Sequence, residues 1–193
     1  MSRVDLVVLG LLTSQSMHGY KIVSFFEKRG LTFWTRIKTP SVYKALQRLE
    51  KQEFIVGKLK MENNNPPKKV FTITKSGREK FMEILRHYLF CKDQSISPHD
   101  FWNALRFVRH NISRSEFIRA LENHENWLRQ HCSQMRTKHT EALQKGRLNN
   151  LPFYAETLME MMHEMSDLEI KTLAKMKQSA LSADNDKDFA EEK

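Results

Sequence analysis

The stretch TPSVYKALQRLEKQEFIVGKLKMENNNPPKKVFTITKSG, residues 39–77, decides the fold. It reads as a helix followed by a two-stranded hairpin. Thr39 suits the N-cap and Pro40 the first helical position, where a missing N–H is no loss. Val42, Ala45, Leu46 and Leu49 recur at i, i+3, i+4 and i+7, which predicts one buried stripe. The opposite face carries Ser41, Tyr43, Lys44, Gln47, Arg48 and Lys51. These residues bring hydrogen-bonding tips and positive charge with little bulk, as the major groove of DNA requires. Leu59, Met61, Phe71 and Ile73 alternate along two short strands. Asn63, Asn64, Asn65, Pro66 and Pro67 supply the turn between them, and Lys68 and Lys69 leave it. A helix followed by a basic-tipped hairpin is the functional half of a winged helix-turn-helix.

The charge distribution agrees. Residues 1–90 hold 17 Lys+Arg against 7 Asp+Glu, a balance of +10, and residues 91–193 hold 15 against 16, a balance of −1. The excess positive charge lies where the helix-turn-helix pattern lies. A basic module beside a neutral one points to phosphate binding by the first and a separate task for the second.

A chain of 193 residues suits one or two small domains, each with its own core. No apolar run approaches the ~20 residues needed to span a bilayer. The apolar stretch near Leu6–Leu12 follows a single Arg and lacks a small-residue cleavage site, so no signal peptide is expected. Cys91 and Cys132 have no CxxC spacing and imply no disulfide framework. A cytoplasmic location is the expectation.

Outward from the opening stretch, Ser2 and Asp5 have the spacing of a capping box. The residues from Val4 to Leu12 then make a helix apolar over most of its surface, and therefore buried. A second helix is predicted from about His18 to Arg29, with Tyr20, Val23 and Phe26 inward and Gly30 as the stop. Thr74–Leu89 reads as a further helix with Phe81, Ile84, Leu85 and Tyr88 as its stripe. These elements make a DNA-binding domain of residues 1–90, with the boundary at Cys91–Ile96.

Ser97-Pro98-His99-Asp100 then opens a helix whose stripe is Phe101, Trp102, Leu105 and Val108. Ser113 and Glu116 cap a longer one that runs to about Lys145. On it, Leu121, Leu128, Met135 and Ala142 stand seven apart, a coiled-coil-like spacing. Asn150-Leu151-Pro152 breaks the chain, and a last helix reaches about Ala180. The helices are too long and too apolar for a small lone domain to cover. Residues 97–181 are therefore expected to form a helical dimerisation domain through Leu121, Leu128, Met135, Leu158, Met161, Met165 and Leu168. Residues 182–193, acidic and weakly apolar, are expected to be disordered. The fold class is mostly α.

Three segments resemble the PadR family of transcriptional regulators. They are VVLGLLTSQSMHGYKI at 7–22, TPSVYKALQRLEKQEFI at 39–55 and KKVFTITKSGREKF at 68–81. The second half is similar only in architecture, to the subclass with a longer helical C-terminal domain that includes virulence-gene activators. The resemblance implies a homodimer on a near-palindromic operator of double-stranded DNA. It places Ser41, Tyr43, Lys44 and Arg48 toward the major groove. It places Lys68 and Lys69, with Asn64 and its neighbours, on a wing near a flanking minor groove or phosphates. The turn NNNPP is longer and richer in proline than the family's basic wing tips.

Read one by one, Arg48 is the candidate for a base edge, because Arg is the commonest bidentate reader of guanine, and Lys44 suits a base or a phosphate. Removal of the Arg48 side chain is expected to weaken the preferred site more than random duplex. Ser41 lies near free backbone N–H groups that attract anions, and Thr39 joins the set at the same end. Tyr43 either offers its hydroxyl to a phosphate or packs against the wing. Lys21, near the start of the second helix, is a candidate phosphate contact. His18 and Tyr20, at a helix junction, read as structural.

No enzyme is expected, since GxSxG, P-loop and GxGxxG patterns are absent from the sequence. His163-Glu164 lacks the second His that zincin chemistry needs, as does His124-Glu125. No metal or cofactor is expected. The methionines of the last helix suit a helical core or an adaptable effector pocket. Two alternatives to DNA-binding regulation stay open. One is a ligand-sensing regulator with a small-molecule effector in the helical domain. The other is a winged-helix module whose basic face binds an acidic protein.

Overall fold

The computed structural model describes residues 2–28, 37–61, 67–90, 98–145 and 152–191. The helices are α1 (Arg3–Ser14), α2 (Gly19–Lys28), α3 (Thr39–Lys51), α4 (Lys75–Phe90), α5 (Pro98–Leu105), α6 (Arg114–Gln144) and α7 (Ala155–Ala180). The strands are β1 (Met17–His18), β2 (Ile55–Lys60) and β3 (Lys68–Ile73), and a 3-10 helix covers Ala183–Asp188. The chain divides into two compact units, Met1–Phe107 and Val108–Lys193.

In the first unit, α1 is buried from Leu6 to Leu12, as its all-round apolar sequence dictates. It packs against α3 and α4. The stripe Val42, Ala45, Leu46 and Leu49 of α3 is buried as its spacing predicts. Each large apolar side chain in it contributes roughly 1.5–3 kcal/mol by leaving water. The sheet has the order β1-β3-β2, with both pairings antiparallel. Ile55 faces Ile73, and Lys60 faces Lys68 at the open end of the hairpin. Helix, helix, hairpin and a short third strand make this unit a winged helix-turn-helix.

The second wing strand enters α4 through Thr74. Its hydroxyl donates to the carbonyl oxygens of Glu53 (2.9 Å) and Phe54 (3.0 Å) and accepts from the Gly77 N–H at 3.0 Å. The Thr74 N–H also donates to the Phe54 carbonyl, at 3.0 Å. That carbonyl leaves no room at position 77, where a Cβ would fall against its oxygen. The T-x-x-G spacing is thus a backbone crossing that only glycine fits.

Local capping differs from the sequence expectation. Ser2 stands at the N-cap of α1, but its side chain makes no cap bond. The Asp5 carboxylate takes Arg48 instead. The N-cap of α3 is Lys38, one residue before Thr39. Tyr20, expected inward, is exposed, whereas Val23 is buried. His18 lies in β1, paired with Val70, ahead of the helix. The expected stop at Gly30 and the boundary at Cys91–Ile96 lie outside the described residues.

The first unit reaches further than residue 90. Helix α5 packs on α4, Arg3 holds the buried Asp100 carboxylate at 2.6 Å, and the Phe107 ring meets that of Phe81 edge-on at 6.3 Å. Residues 98–107 therefore belong to the first unit and not to the helical domain expected from residue 97.

The second unit is an α6–α7 hairpin. The Glu116 N–H donates to Ser113 Oγ at 3.3 Å, as the predicted cap requires. Ion pairs Glu125–Lys177 (2.7 Å) and Arg136–Asp167 (3.3 Å) fix the two helices antiparallel. Hydrogen bonds from Lys177 and Arg129 hold the Glu125 carboxyl below the usual carboxylate range. Leu121 and Leu128 are buried inside this unit with Phe117 and Leu173. They form its own core and not an outward seam.

The tail expected to be disordered is ordered through its 3-10 helix. Arg114 pairs with Asp186, the His110 N–H donates to the Asp188 carbonyl at 2.9 Å, and the Ala190 N–H donates to the Ile112 carbonyl at 2.9 Å. Phe189 packs against Phe117 with ring centroids 5.6 Å apart. The single aromatic and the acids that made the segment look soluble are its anchors.

Candidate nucleic-acid interface

The exposed face of α3 is centred on Pro40, Lys44, Gln47 and Lys51, which recur one or two turns apart. All four side chains are exposed. Lys44 makes no ion pair with any described residue. Ser41 is exposed on the first turn, where its N–H donates to the Lys38 carbonyl at 2.9 Å. Thr39 is half-buried. Lys21 is exposed near the start of α2.

Arg48 departs from the sequence expectation. It lies at the α1 edge of the exposed face, and its Nη2 donates to Asp5 Oδ1. The guanidinium is therefore a tie between α3 and α1, and its charge is compensated where that of Lys44 is not. Gln47, which sequence reading placed on that face without a role, stands there beside Lys44. A glutamine amide matches the N6/N7 edge of adenine, and a lysine matches the O6/N7 edge of guanine. The helical phase alone places Gln47 there.

On the other edge, α3 meets the wing. Lys69 Nζ donates to Glu50 Oε2 at 2.7 Å and lies 5.5 Å from the centre of the Phe71 ring. Its charge is already compensated by a carboxylate. Lys68 is exposed and unpaired among the described residues. Lys58 and Lys60 of β2 add further exposed charge, and Leu59 and Met61 stand exposed between and beyond them. Asn64 lies outside the described residues. A cleft of about 530 Å³ opens between α2, α3 and β3, and Tyr43, Gln47, Lys68 and Lys69 all line it. Among the described residues no cluster of three or more His, Cys, Asp or Glu side chains is placed to hold a metal ion. No helix of the described residues is long and apolar enough to cross a membrane.

Residues 8–83 match the model of the transcriptional regulator PadR-like family. These residues form a PadR-like domain. The negative transcriptional regulator PadR of Bacillus subtilis (strain 168) is 31% identical over 81 residues, which are 42% of this chain and 44% of that protein. The chain therefore matches less than half the length of that relative. Among solved structures, Bacillus subtilis PadR in complex with operator DNA has 20% identity and a TM-score of 0.42, covering 93% of this chain and 99% of that one. A PadR-like transcriptional regulator from Bacillus cereus has 29% identity and a TM-score of 0.36, covering 41% of this chain and 74% of that one. The matched residues begin inside α1 and include α2, α3, the wing and the Thr74–Gly77 crossing. They end inside α4, so α5, α6 and α7 lie outside them.

Proposed function

We propose that this chain is a sequence-specific regulator of transcription that binds double-stranded DNA as a homodimer on a near-palindromic operator. The observation that carries this reading is the exposed, uncompensated face of α3 within a PadR-like domain. Lys44, Gln47 and Lys51 offer a row of donors on one narrow helix face, and the wing lysines flank it. A helix of this width fits the major groove, and the lysines beside it suit phosphates. In this reading the chain is no enzyme, needs no cofactor and works in the cytoplasm.

Selection of duplexes from a random pool by the purified full-length chain tests it. The expected result is enrichment of one inverted repeat. Gln47→Ala then loses about 1–3 kcal/mol on the enriched duplex and far less on random duplex, because a base contact is removed and the charge is kept. Recovery of unenriched sequence, or equal losses on both duplexes, would overturn specific reading by this face.

The dimer rests on α7. Leu158, Met161, Met165 and Leu168 follow one another at spacings of three, four and three, the seam of a coiled coil. All four are exposed within the chain, Met165 to 60% and Leu168 to 65%. A stripe of this length without cover in one chain calls for a second helix against it, and a two-fold copy supplies one. Met135 of α6 is exposed as well. The double variant Met165→Glu, Leu168→Glu is expected to sediment as a monomer at ~10 μM while the parent chain sediments as a dimer, since charge at the centre of an apolar seam is not tolerated. A dimeric variant would remove this seam from the interface, and a monomeric parent would remove the dimer.

A further inference from the structure

Tyr20 makes no hydrogen bond or ion pair with any described residue. It stands 75% exposed on the first turn of α2. There it lines the same cleft as Tyr43, Gln47 and Lys68, over a floor of Leu46 and Phe71. The wall is close-fitting. A Cβ at Gly19, the residue before Tyr20, would sit 3.3 Å from both Leu46 Cδ1 and Tyr43 Cε1, so any larger residue would push on the Tyr43 ring.

The lining defines what fits. Glu50 neutralises Lys69 at 2.7 Å, which leaves Lys68 as the uncompensated charge of the lining lysines. Two tyrosine hydroxyls offer donors without charge. The floor is apolar, and the cleft is open to solvent beside the exposed face of α3. An occupant with one negative charge, several acceptor oxygens and apolar edges matches this lining, and the opening to solvent lets a longer chain continue beyond the cleft. A phosphodiester between two deoxyriboses has all of these properties.

We infer that one sugar–phosphate strand of the duplex lies in this cleft, with the Tyr20 and Tyr43 hydroxyls donating to a phosphate and Lys68 supplying the charge. The inference rests on the DNA-binding reading above and adds Tyr20 as a contact that fixes the strand between the reading helix and the wing. Phosphate contacts of this kind set orientation and register without reading sequence.

The two kinds of donor leave different signatures. A hydroxyl displaces no counterion, so its loss lowers affinity without changing the salt dependence. A lysine displaces one, so its loss also flattens that dependence. Full-length parent, Tyr20→Phe and Lys68→Ala are titrated with the selected duplex and with random duplex of equal length, each at several salt concentrations. Tyr20→Phe is expected to lose about tenfold per bound protomer on both duplexes, with the parent's salt slope. Lys68→Ala is expected to lose on both and to reduce the slope by about one per protomer. Unchanged binding by Tyr20→Phe, or a loss confined to the selected duplex, would overturn the assignment. Competition by millimolar benzoate that disappears in Tyr20→Phe would overturn it in favour of a small anion. The parent's binding to the selected duplex is the separate control. Its absence would remove the DNA reading itself and this assignment with it. Equal thermal midpoints for parent and Tyr20→Phe are expected, because the deleted hydroxyl stands on an exposed side chain.

Discussion

Affinity of the full-length chain for its selected duplex is expected to fall by about 10³–10⁵ between ~50 and ~200 mM salt, the range for roughly 6–10 phosphate contacts. The contacts that can supply such a number are already placed. Each protomer offers Lys21, Lys44, Lys51, Lys58, Lys60 and Lys68 as exposed lysines on α2, α3 and the wing. The proposed dimer doubles that set, and not all of it need reach a phosphate for the range to hold. Lys69 and Arg48 contribute less to the slope, because each already has a carboxylate for a counterion, Glu50 and Asp5 respectively. Affinity measured by fluorescence anisotropy across the salt series checks this. A flat dependence would point to the protein-partner alternative, in which a few fixed ion pairs replace a counterion atmosphere.

Gly77→Ala is expected to destabilise the first unit by about 3 kcal/mol, near the upper end for inserting atoms into packed structure. The obstacle is the Phe54 carbonyl, which is backbone and already accepts from the Thr74 N–H and hydroxyl. Relief requires β2 and α4 to separate, and that breaks the Thr74 bonds to Glu53 and Phe54. The midpoint of urea denaturation reads the effect, with Lys75→Ala at an exposed position beside it as the control. A Gly77→Ala chain as stable as the parent would mean that the crossing is not close in solution. Loss of DNA binding is expected to follow the loss of folded protein, because this crossing anchors the wing to the body of the unit.

The periodic elements were legible from residues alone. Helix α3 and the hairpin follow from a four-residue apolar stripe and an alternating pair of strands, which need no partner to be recognised. The basic half was legible from charge. The proposed dimer face was half legible. The expected dimerisation set joined Leu121 and Leu128 to Met165 and Leu168. Periodicity identifies an apolar face but does not say whether the chain itself or a second copy covers it. The structure separates them by burying the first two within the second unit and leaving the other two open. The ordered tail was not legible, because its stability comes from Arg114, Ile112 and Phe117, some 70 residues earlier.

By itself, then, the sequence determined the winged helix and the sign and location of its charge, because each is a local property of spacing or residue type, whereas the need for glycine at position 77 comes from the Phe54 carbonyl that the fold brings against it. Only the tertiary structure decided which basic side chains stand uncompensated. Arg48 and Lys68 are equivalent as letters. In the fold, Arg48 meets a carboxylate 43 residues away and Lys68 meets solvent. Tyr20 looks like a core aromatic in a helical pattern and stands at the mouth of a cleft. The physical reason is that charge compensation and exposure depend on which distant segment arrives alongside, and that is fixed by packing between α1, α2, α3 and the wing.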